Sequence, residues 1–250
     1  MAKLTREDVI KSISEGNKDF QGWDLKSIDL SDLYLSFLNL SNSILKKAKL
    51  NKSYLHEINL KEANLEKANL KKSKLEMVNL EGANMEGVNL EGANLEGVNL
   101  KCVNLRDANM MCTNLEGANL EMAMLQGVFL ISAYLECTNL RAANMEGADL
   151  TGANLFNANL SGVNLSGADL GDAFLGGTNL EFSNLNGSYL GRADLSGANL
   201  NGADLTGANF ERANLSGANL NGADLTGANF EMTDLSGANL NGTILDTTIL

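Results

Sequence analysis

The residues that could do chemistry form no recognisable constellation in this chain. The only histidine, His56, lies beside Glu57, and no cysteine or second histidine stands at the spacing of a zinc site. The 25 glycines include no GxxxxGK(S/T) phosphate-binding loop. The 31 Asp and Glu residues are spread along the whole chain. The sequence therefore predicts no catalytic, cofactor-binding or metal site, and a protein that is not an enzyme.

Most of the sequence follows a strict period of five residues. Every fifth residue from Phe20 to Leu250 is Leu, Met or Phe. An α-helix would scatter these residues around its axis, and a straight strand would send alternate ones to opposite faces. They can share one interior only if the chain turns a corner within each pentad. The residue two positions earlier is mostly small and also points inward, and an outward Asn or Asp lies between the two.

Glycine and a longer period define the corner and the coil. Of the 25 glycines, 21 lie two residues after the large residue, where a tight turn would use a positive φ. The segment 196–210, SGANLNGADLTGANF, recurs unchanged at 216–230. One coil is then four pentads. At the strand spacing of about 4.8 Å, the repeat predicts a rod of roughly 12 coils and roughly 55 Å.

The A(N/D)LxG pattern over residues 20–250 resembles the pentapeptide-repeat family. That resemblance implies an all-β fold, a right-handed quadrilateral β-helix. Leucine-rich repeats do not fit, because their unit has 20–29 residues with unevenly spaced leucines. Ahead of the repeat, Thr5 and Asp8 suggest a capping box, and Val9 with Ile13 makes an apolar pair. We expect a helix over residues 5–15, so that residues 1–19 cap the coils and lead into them.

Composition indicates a soluble, cytoplasmic protein. The sequence has no apolar run long enough to span a membrane and no signal-peptide run at its start. In a twenty-residue coil Cys102, Cys112 and Cys137 fall on three different sides, so no disulfide is expected. The net charge of −12 is uneven: residues 1–75 carry +4 and residues 76–250 carry −16.

The leading functional hypothesis is a structural rod that binds other proteins through its sides and its C-terminal end. A convex rod lacks the concave cleft of a small-molecule site, so we expect no such substrate. The family resemblance implies an alternative: an acidic rod that mimics DNA and inhibits or protects a type II topoisomerase, DNA gyrase. The basic N-terminal third departs from that pattern, as does the lack of a C-terminal helical element and of a projecting loop. Nucleic-acid binding by the lysines of residues 46–74 is not favoured, because only Tyr54 could stack there.

Candidate protein-binding residues interrupt the polar surface. Five lie in the Asn/Asp column and three more at outward corner positions; in chain order the eight are Met124, Phe129, Ile131, Tyr134, Phe156, Phe174, Phe182 and Tyr189. Modulo twenty, Tyr134 and Phe174 share one side, and Phe129 and Tyr189 share the adjoining side. Aromatic anchors on neighbouring sides favour a protein contact. The alternative is a scatter of surface aromatics without function.

A second candidate surface is the edge of the last coil, where Ile244 and Ile249 occupy the Asn/Asp column. An uncovered β-edge templates association. We therefore expect this edge to be covered by another protein or by a second copy stacked end to end. The alternative is that the last coil frays in solvent.

Overall fold

The protein is a right-handed quadrilateral β-helix preceded by one short helix, which confirms the predicted fold. The computed structural model describes residues 4–249, so the last large residue, Leu250, lies outside it. Helix α1 spans Arg6–Ser14. The β-structure consists of single-residue bridges at every fifth residue from Asp19 to Ile249, each parallel to the residue twenty positions further on. One coil is therefore four pentads.

Three backbone hydrogen bonds per pentad join each coil to the next. Leu45 N–H donates to Asn64 O at 2.7 Å, and Lys47 N–H donates to Glu66 O at 2.9 Å. In return, Asn64 N–H donates to Ser43 O at 2.9 Å. This pattern recurs along most of the rod, and it joins the coils through backbone groups alone.

Each corner is a tight turn closed by a hydrogen bond, such as that from Ala48 N–H to Leu45 O at 2.9 Å. The second corner residue has a positive φ, for example 65° at Gly197 and 56° at Asn157. Glycine is expected here, yet 25 non-glycine residues adopt the same conformation. That conformation costs an L-residue about 1–2 kcal/mol. Most of these residues donate an N–H group to the next coil, as Lys47 does to Glu66, and this bond offsets the cost.

The interior is one continuous column of large side chains surrounded by small ones. The large residues from Phe20 to Phe230 are all buried. Phe210 and Phe230 stack in parallel, with ring centroids 4.8 Å apart. Where the small position is polar, its hydroxyl donates to a backbone carbonyl of its own turn or of the preceding coil, as Ser43 Oγ does to Leu40 O at 2.6 Å and Thr113 Oγ1 does to Leu90 O at 2.9 Å. The repeat thus commits two of every five side chains to the core.

The N-terminal helix begins at the predicted capping box. Asp8 N–H donates to Thr5 Oγ1 at 3.2 Å, and Thr5 N–H donates to Asp8 Oδ2 at 2.9 Å. Glu15 is the C-cap, so the helix matches the predicted bounds to within one residue. The reciprocal bonds satisfy two amide groups that a helix otherwise leaves unpaired.

Helix α1 is fixed to the first coils by apolar and ionic contacts. Val9 is buried, and the half-buried Trp23 packs against the same core. Arg6 Nη1 donates to Asp29 O at 3.1 Å and lies 3.6 Å from the Asp29 carboxylate. A hydrogen bond from the Ser31 hydroxyl is the main cause that lowers the pKa of Asp29 to about 2. Asp29 therefore stays ionised and keeps its ion pair with Arg6 under all but strongly acidic conditions.

Leu155→Ala should destabilise the rod by about 2–5 kcal/mol, because Leu155 is fully buried and its removal leaves a cavity. Asn157→Gly, two residues away, should leave stability unchanged or slightly higher, because glycine adopts the positive φ of this corner without strain. Thermal unfolding midpoints of the two variants measure the contrast. A loss in Asn157→Gly as large as that in Leu155→Ala would contradict this account of the corner.

Candidate functional site

The residues capable of chemistry lie on the surface and apart from one another. His56 Nε2 is 3.1 Å from Glu57 Oε1, and the imidazole meets the Phe37 ring edge-on at 5.9 Å. The thiols of Cys102, Cys112 and Cys137 are exposed and unpaired. Within residues 4–249, no three His, Cys, Asp or Glu side chains are grouped to hold a metal ion. In the same residues no helix has the length and apolar character needed to cross a membrane.

The bridge residues point outward and form one column on each of four sides. The asparagine side carries residues 19 to 239, the second side 24 to 244, the third side 29 to 249 and the fourth side 34 to 234, each in steps of twenty. The second and fourth sides face in opposite directions. Two corner residues separate each side from the next.

The asparagine side has an unbroken column of asparagines, most of which are hydrogen-bonded to the next. Every bridge residue from Asn39 to Asn239 on this side is asparagine. Side-chain amides bond from coil to coil, as Asn139 Nδ2 donates to Asn119 Oδ1 at 3.1 Å. The same oxygens accept a backbone N–H two residues later, as Asn139 Oδ1 does from Arg141 at 3.2 Å. This side shows how asparagine side chains of the repeat satisfy the polar groups of its surface.

Most of the predicted side candidates gather around the fourth side. Tyr134 and Phe174 are exposed there, two coils apart in the same bridge column. Ile131 lies on the corner towards the third side, and Phe156 lies on the corner towards the asparagine side. Tyr189 belongs to the third side but leans over the shared corner. We call the set Ile131, Tyr134, Phe156, Phe174 and Tyr189 the fourth-side patch.

Glycines accommodate the rings at the rim of this patch. Apart from Gly16, only Gly171, Gly176 and Gly191 depart from the glycine column of the corners. A methyl group on Gly171 would lie 2.9 Å from Tyr189 Cε1, and one on Gly191 would overlap the Tyr189 hydroxyl. A methyl group on Gly176 would lie 3.2 Å from Phe156 Cδ2. The three unusual glycines therefore lie beneath surface rings, which a side chain at these positions would contact or overlap.

The other three side candidates lie elsewhere. Phe129 is exposed on the third side, and Met124 is half-buried on the second side, which faces away from the patch. Phe182 stands on the corner between the asparagine and second sides, where its ring covers Gly202. Phe129 thus lies on the side that adjoins the patch, as its position modulo twenty predicts, whereas Met124 and Phe182 lie away from it.

The sequence reading missed a pair of tyrosines on the fourth side. Tyr34 and Tyr54 are neighbours in its bridge column, and their rings stack in parallel with centroids 4.4 Å apart. Tyr34 is 75 % exposed. The sequence does indicate this pair, because both tyrosines occupy the Asn/Asp column and are one coil apart. The fourth side thus carries aromatic residues at two levels, with Lys74, Asn94 and Asn114 between them.

Charges on the corner between the asparagine and second sides alternate and pair. Lys101 Nζ is 2.7 Å from Glu121 Oε2, and Arg141 Nη1 is 2.9 Å from Glu121 Oε1. The hydrogen bond with Glu121 raises the pKa of Lys101, and the hydrogen bond with Lys101 lowers the pKa of Glu121. Nearer the N-terminus on the same corner, Lys61 Nζ is 3.1 Å from Glu81 Oε1. From Lys61 to Arg141, opposite charges therefore alternate from one coil to the next.

The last coil is more open than the rest. Ile244 and Ile249 are 53 % and 56 % exposed, and the core position Leu245 is 46 % exposed. The N–H groups of Leu240 and Gly242 donate to no backbone carbonyl within residues 4–249. These groups form the β-edge that the two isoleucines border.

Comparison with known proteins agrees with this architecture. A family model described as pentapeptide repeats matches eight copies within residues 28–127 and 133–242. No curated protein matches the chain. Among solved structures the chain is similar to HetL of the cyanobacterium Nostoc sp. strain PCC 7120, a pentapeptide repeat protein involved in heterocyst differentiation regulation. The identity is 28 %, with 99 % of this chain and 95 % of HetL covered and a TM-score of 0.53.

Two further solved structures are similar over part of their length. Rfr23, a pentapeptide repeat protein of the cyanobacterium Cyanothece 51142, is 46 % identical over 40 % of this chain and 63 % of its own, with a TM-score of 0.22. QnrB1, a plasmid-mediated fluoroquinolone resistance protein, is 20 % identical over 80 % of this chain and 87 % of its own, with a TM-score of 0.41.

The cost of Gly191→Ala should depend on Tyr189. With Tyr189 present, the new methyl group displaces the ring, and we expect a loss of about 1–3 kcal/mol. In a Tyr189→Asn background the same change should be neutral or stabilise by about 0.4–1 kcal/mol, because Gly191 has no positive φ. Thermal unfolding of the unaltered protein, the two single variants and the double variant gives the coupling energy between Gly191 and Tyr189. Equal effects in both backgrounds would contradict a fixed ring position.

Proposed function

The chain belongs to the pentapeptide-repeat family, and we propose that it is a non-enzymatic interaction rod whose fourth side binds a partner protein. The observation that carries this proposal is the fourth-side patch. It places large apolar residues on one side of a rod whose default surface is a self-satisfied asparagine ladder. Aromatic anchors of this kind dominate the energetics of protein contacts.

The aromatic residues of the bridge columns are not required by the fold. Phe174 makes the same backbone bonds as an asparagine would: its N–H donates to Ala153 O at 2.9 Å, and its carbonyl accepts from Leu155 N–H at 2.7 Å. It gives up the side-chain bond that asparagine makes to the N–H two residues later, as in Asn164 with Ser166 at 3.2 Å. Such a bond contributes about 0.5–1.5 kcal/mol. An aromatic residue that stands at this position in spite of the lost hydrogen bond supports a role in binding.

The similarity to HetL supports a role of the same general class. HetL is involved in the regulation of heterocyst differentiation, and its structure matches this chain over nearly its full length. Regulation by a convex rod acts most simply through contacts with other proteins. We therefore place this chain among interaction proteins rather than among proteins that convert a small substrate.

Replacing two aromatic residues of the patch with asparagine should weaken partner binding without destabilising the fold. We expect the double change Tyr134→Asn and Phe174→Asn to keep or raise the unfolding midpoint, because each new asparagine regains a side-chain bond. Capture of partner proteins by the immobilised rod should fall at least about tenfold, because two anchors are lost. Quantitative mass spectrometry of the retained proteins measures this effect.

Phe182→Asn is the matched control for this experiment. Phe182 is 68 % exposed, against 55 % for Phe174, but it stands on a corner remote from the patch. The control should retain the same proteins as the unaltered rod. Undiminished capture by the double variant, or an equal loss in the control, would overturn the proposal.

DNA mimicry is the second candidate, and charge density is the observation that favours it. Residues 76–250 carry 21 acidic and 5 basic residues, a net charge of −16. Over about 42 Å at the strand spacing, this is about one charge per 2.6 Å, compared with about 1.7 Å in duplex DNA. Capture distinguishes the two candidates: a mimic retains a type II topoisomerase such as DNA gyrase whether or not Tyr134 and Phe174 are present.

We propose the edge of the last coil as a further contact. Its exposed isoleucines and free N–H groups can receive another β-layer. For the 250-residue chain, light scattering should detect end-to-end association that the double change Ile244→Glu and Ile249→Glu abolishes. A monomer at high concentration, with the same mass in the charged variant and no partner retained through this edge, would contradict this part of the proposal.

A further inference from the structure

Four glutamates form an uncompensated row beside the fourth side. Glu76, Glu96, Glu116 and Glu136 occupy the same corner position in successive coils, on the corner between the fourth and asparagine sides. Neighbouring members are one coil apart, about 5 Å along the rod. Within residues 4–249 none of the four forms an ion pair, whereas Glu66, Glu81, Glu91 and Glu121 on other corners all do. We call these four residues the glutamate row.

The row is electrostatically unfavourable for the isolated rod. Like charges stacked across neighbouring strands destabilise a sheet, and unit charges about 5 Å apart repel appreciably near a protein surface. On the corner between the asparagine and second sides, by contrast, Lys101, Glu121 and Arg141 alternate at the same spacing and pair. An arrangement that costs stability, and that the same fold avoids on another corner, points to a role outside folding.

Asparagines of the fourth side hold three of these four carboxylates on the side that carries the patch. Asn94 Nδ2 donates to Glu76 Oε1 at 2.7 Å, and Asn154 Nδ2 donates to Glu136 Oε1. Asn114 contacts Glu96 in the same way at 3.5 Å. The second oxygen, Glu136 Oε2, is buried and has no hydrogen-bond partner within the described residues. The row thus belongs to the fourth side and retains acceptor capacity that its own chain does not use.

The row also fills the interval between two aromatic levels. The Tyr34–Tyr54 stack lies N-terminal to the glutamate row. Tyr134 lies at the C-terminal end of the row, beside Glu136, and Phe174 lies two coils further on. From Tyr34 to Phe174 is seven coils, about 34 Å at the strand spacing. A single elongated ligand could therefore contact aromatic, acidic and again aromatic surface along one side.

Resting on the proposed function, we infer that the fourth side binds a basic segment of a partner protein lying lengthwise on the rod. Arginine or lysine side chains of that segment pair with the glutamate row, and its apolar side chains pack on the aromatic residues at both ends. Guanidinium groups suit this surface, because they bond carboxylates through two N–H groups and stack on tyrosine rings. A helix of about 22 residues spans the required length.

Charge complementarity selects this occupant over two others. A nucleic acid would bring phosphates against four unpaired carboxylates. A second copy of the chain would bring a net charge of −12. A basic protein segment alone relieves the repulsion within the row and gains charge-assisted hydrogen bonds.

The test uses a fluorescein-labelled amphipathic helical peptide of about 22 residues, with arginine on one face and leucine at both ends. Fluorescence anisotropy should detect binding to the intact rod, and the same peptide with glutamate in place of arginine should not bind. Changing Glu76, Glu96, Glu116 and Glu136 to glutamine should weaken binding at least about tenfold. The variant should unfold at a temperature no lower than the unaltered rod, because repulsion has been removed.

A charge-matched control separates the site from the overall charge of the rod. Glu62, Glu86, Glu146 and Glu181 form no ion pairs in the described chain and lie on other corners. Changing these four to glutamine alters the net charge equally and should weaken binding less than about threefold. An equal loss in both variants, or no binding of the arginine peptide at micromolar protein, would overturn the inference. The capture experiment with Tyr134→Asn and Phe174→Asn would still decide separately whether the patch binds a protein.

Discussion

The register of twenty residues between hydrogen-bonded coils is the constraint on which the rest of the structure depends. Each pentad bonds to the next coil through backbone groups alone, as at Leu45 and Asn64, and the large and small columns fill the interior. The side chains of the outward bridge and corner residues are needed neither for these bonds nor for the core. Because the fold does not need these side chains, their departures from the repeat can serve function without disturbing the rod.

The four sides show how that freedom is used. The asparagine side keeps asparagine in every coil from Asn39 to Asn239, and on the adjoining corner Lys101, Glu121 and Arg141 pair. The fourth side instead concentrates aromatic rings and an unpaired glutamate row. Each of these features removes a hydrogen bond or adds repulsion, so their concentration on one side is better explained by a ligand than by stability.

The sequence predicts the periodic features well, because they follow from the repeat itself: the buried column from Phe20, the coil length and the capping box at Thr5 were all readable. The surface was predicted less completely. A residue's column follows from its number, but the direction of a corner side chain depends on the adjacent coil, as for Tyr189 over Gly191. The tyrosine stack at Tyr34 was overlooked although its spacing was readable, and the lean of Glu76 towards Asn94 required coordinates.

The three native thiols offer the most direct test of the central claim that one side of the rod is specialised for binding. Cys112 and Cys137 lie on the two corners that border the fourth side, whereas Cys102 lies on the corner between the asparagine and second sides, and all three are exposed. Alkylation rates would be compared with and without the captured partner. The account predicts slower alkylation of Cys112 and Cys137 and an unchanged rate at Cys102. Protection of Cys102, or equal rates at all three thiols in the complex, would contradict it.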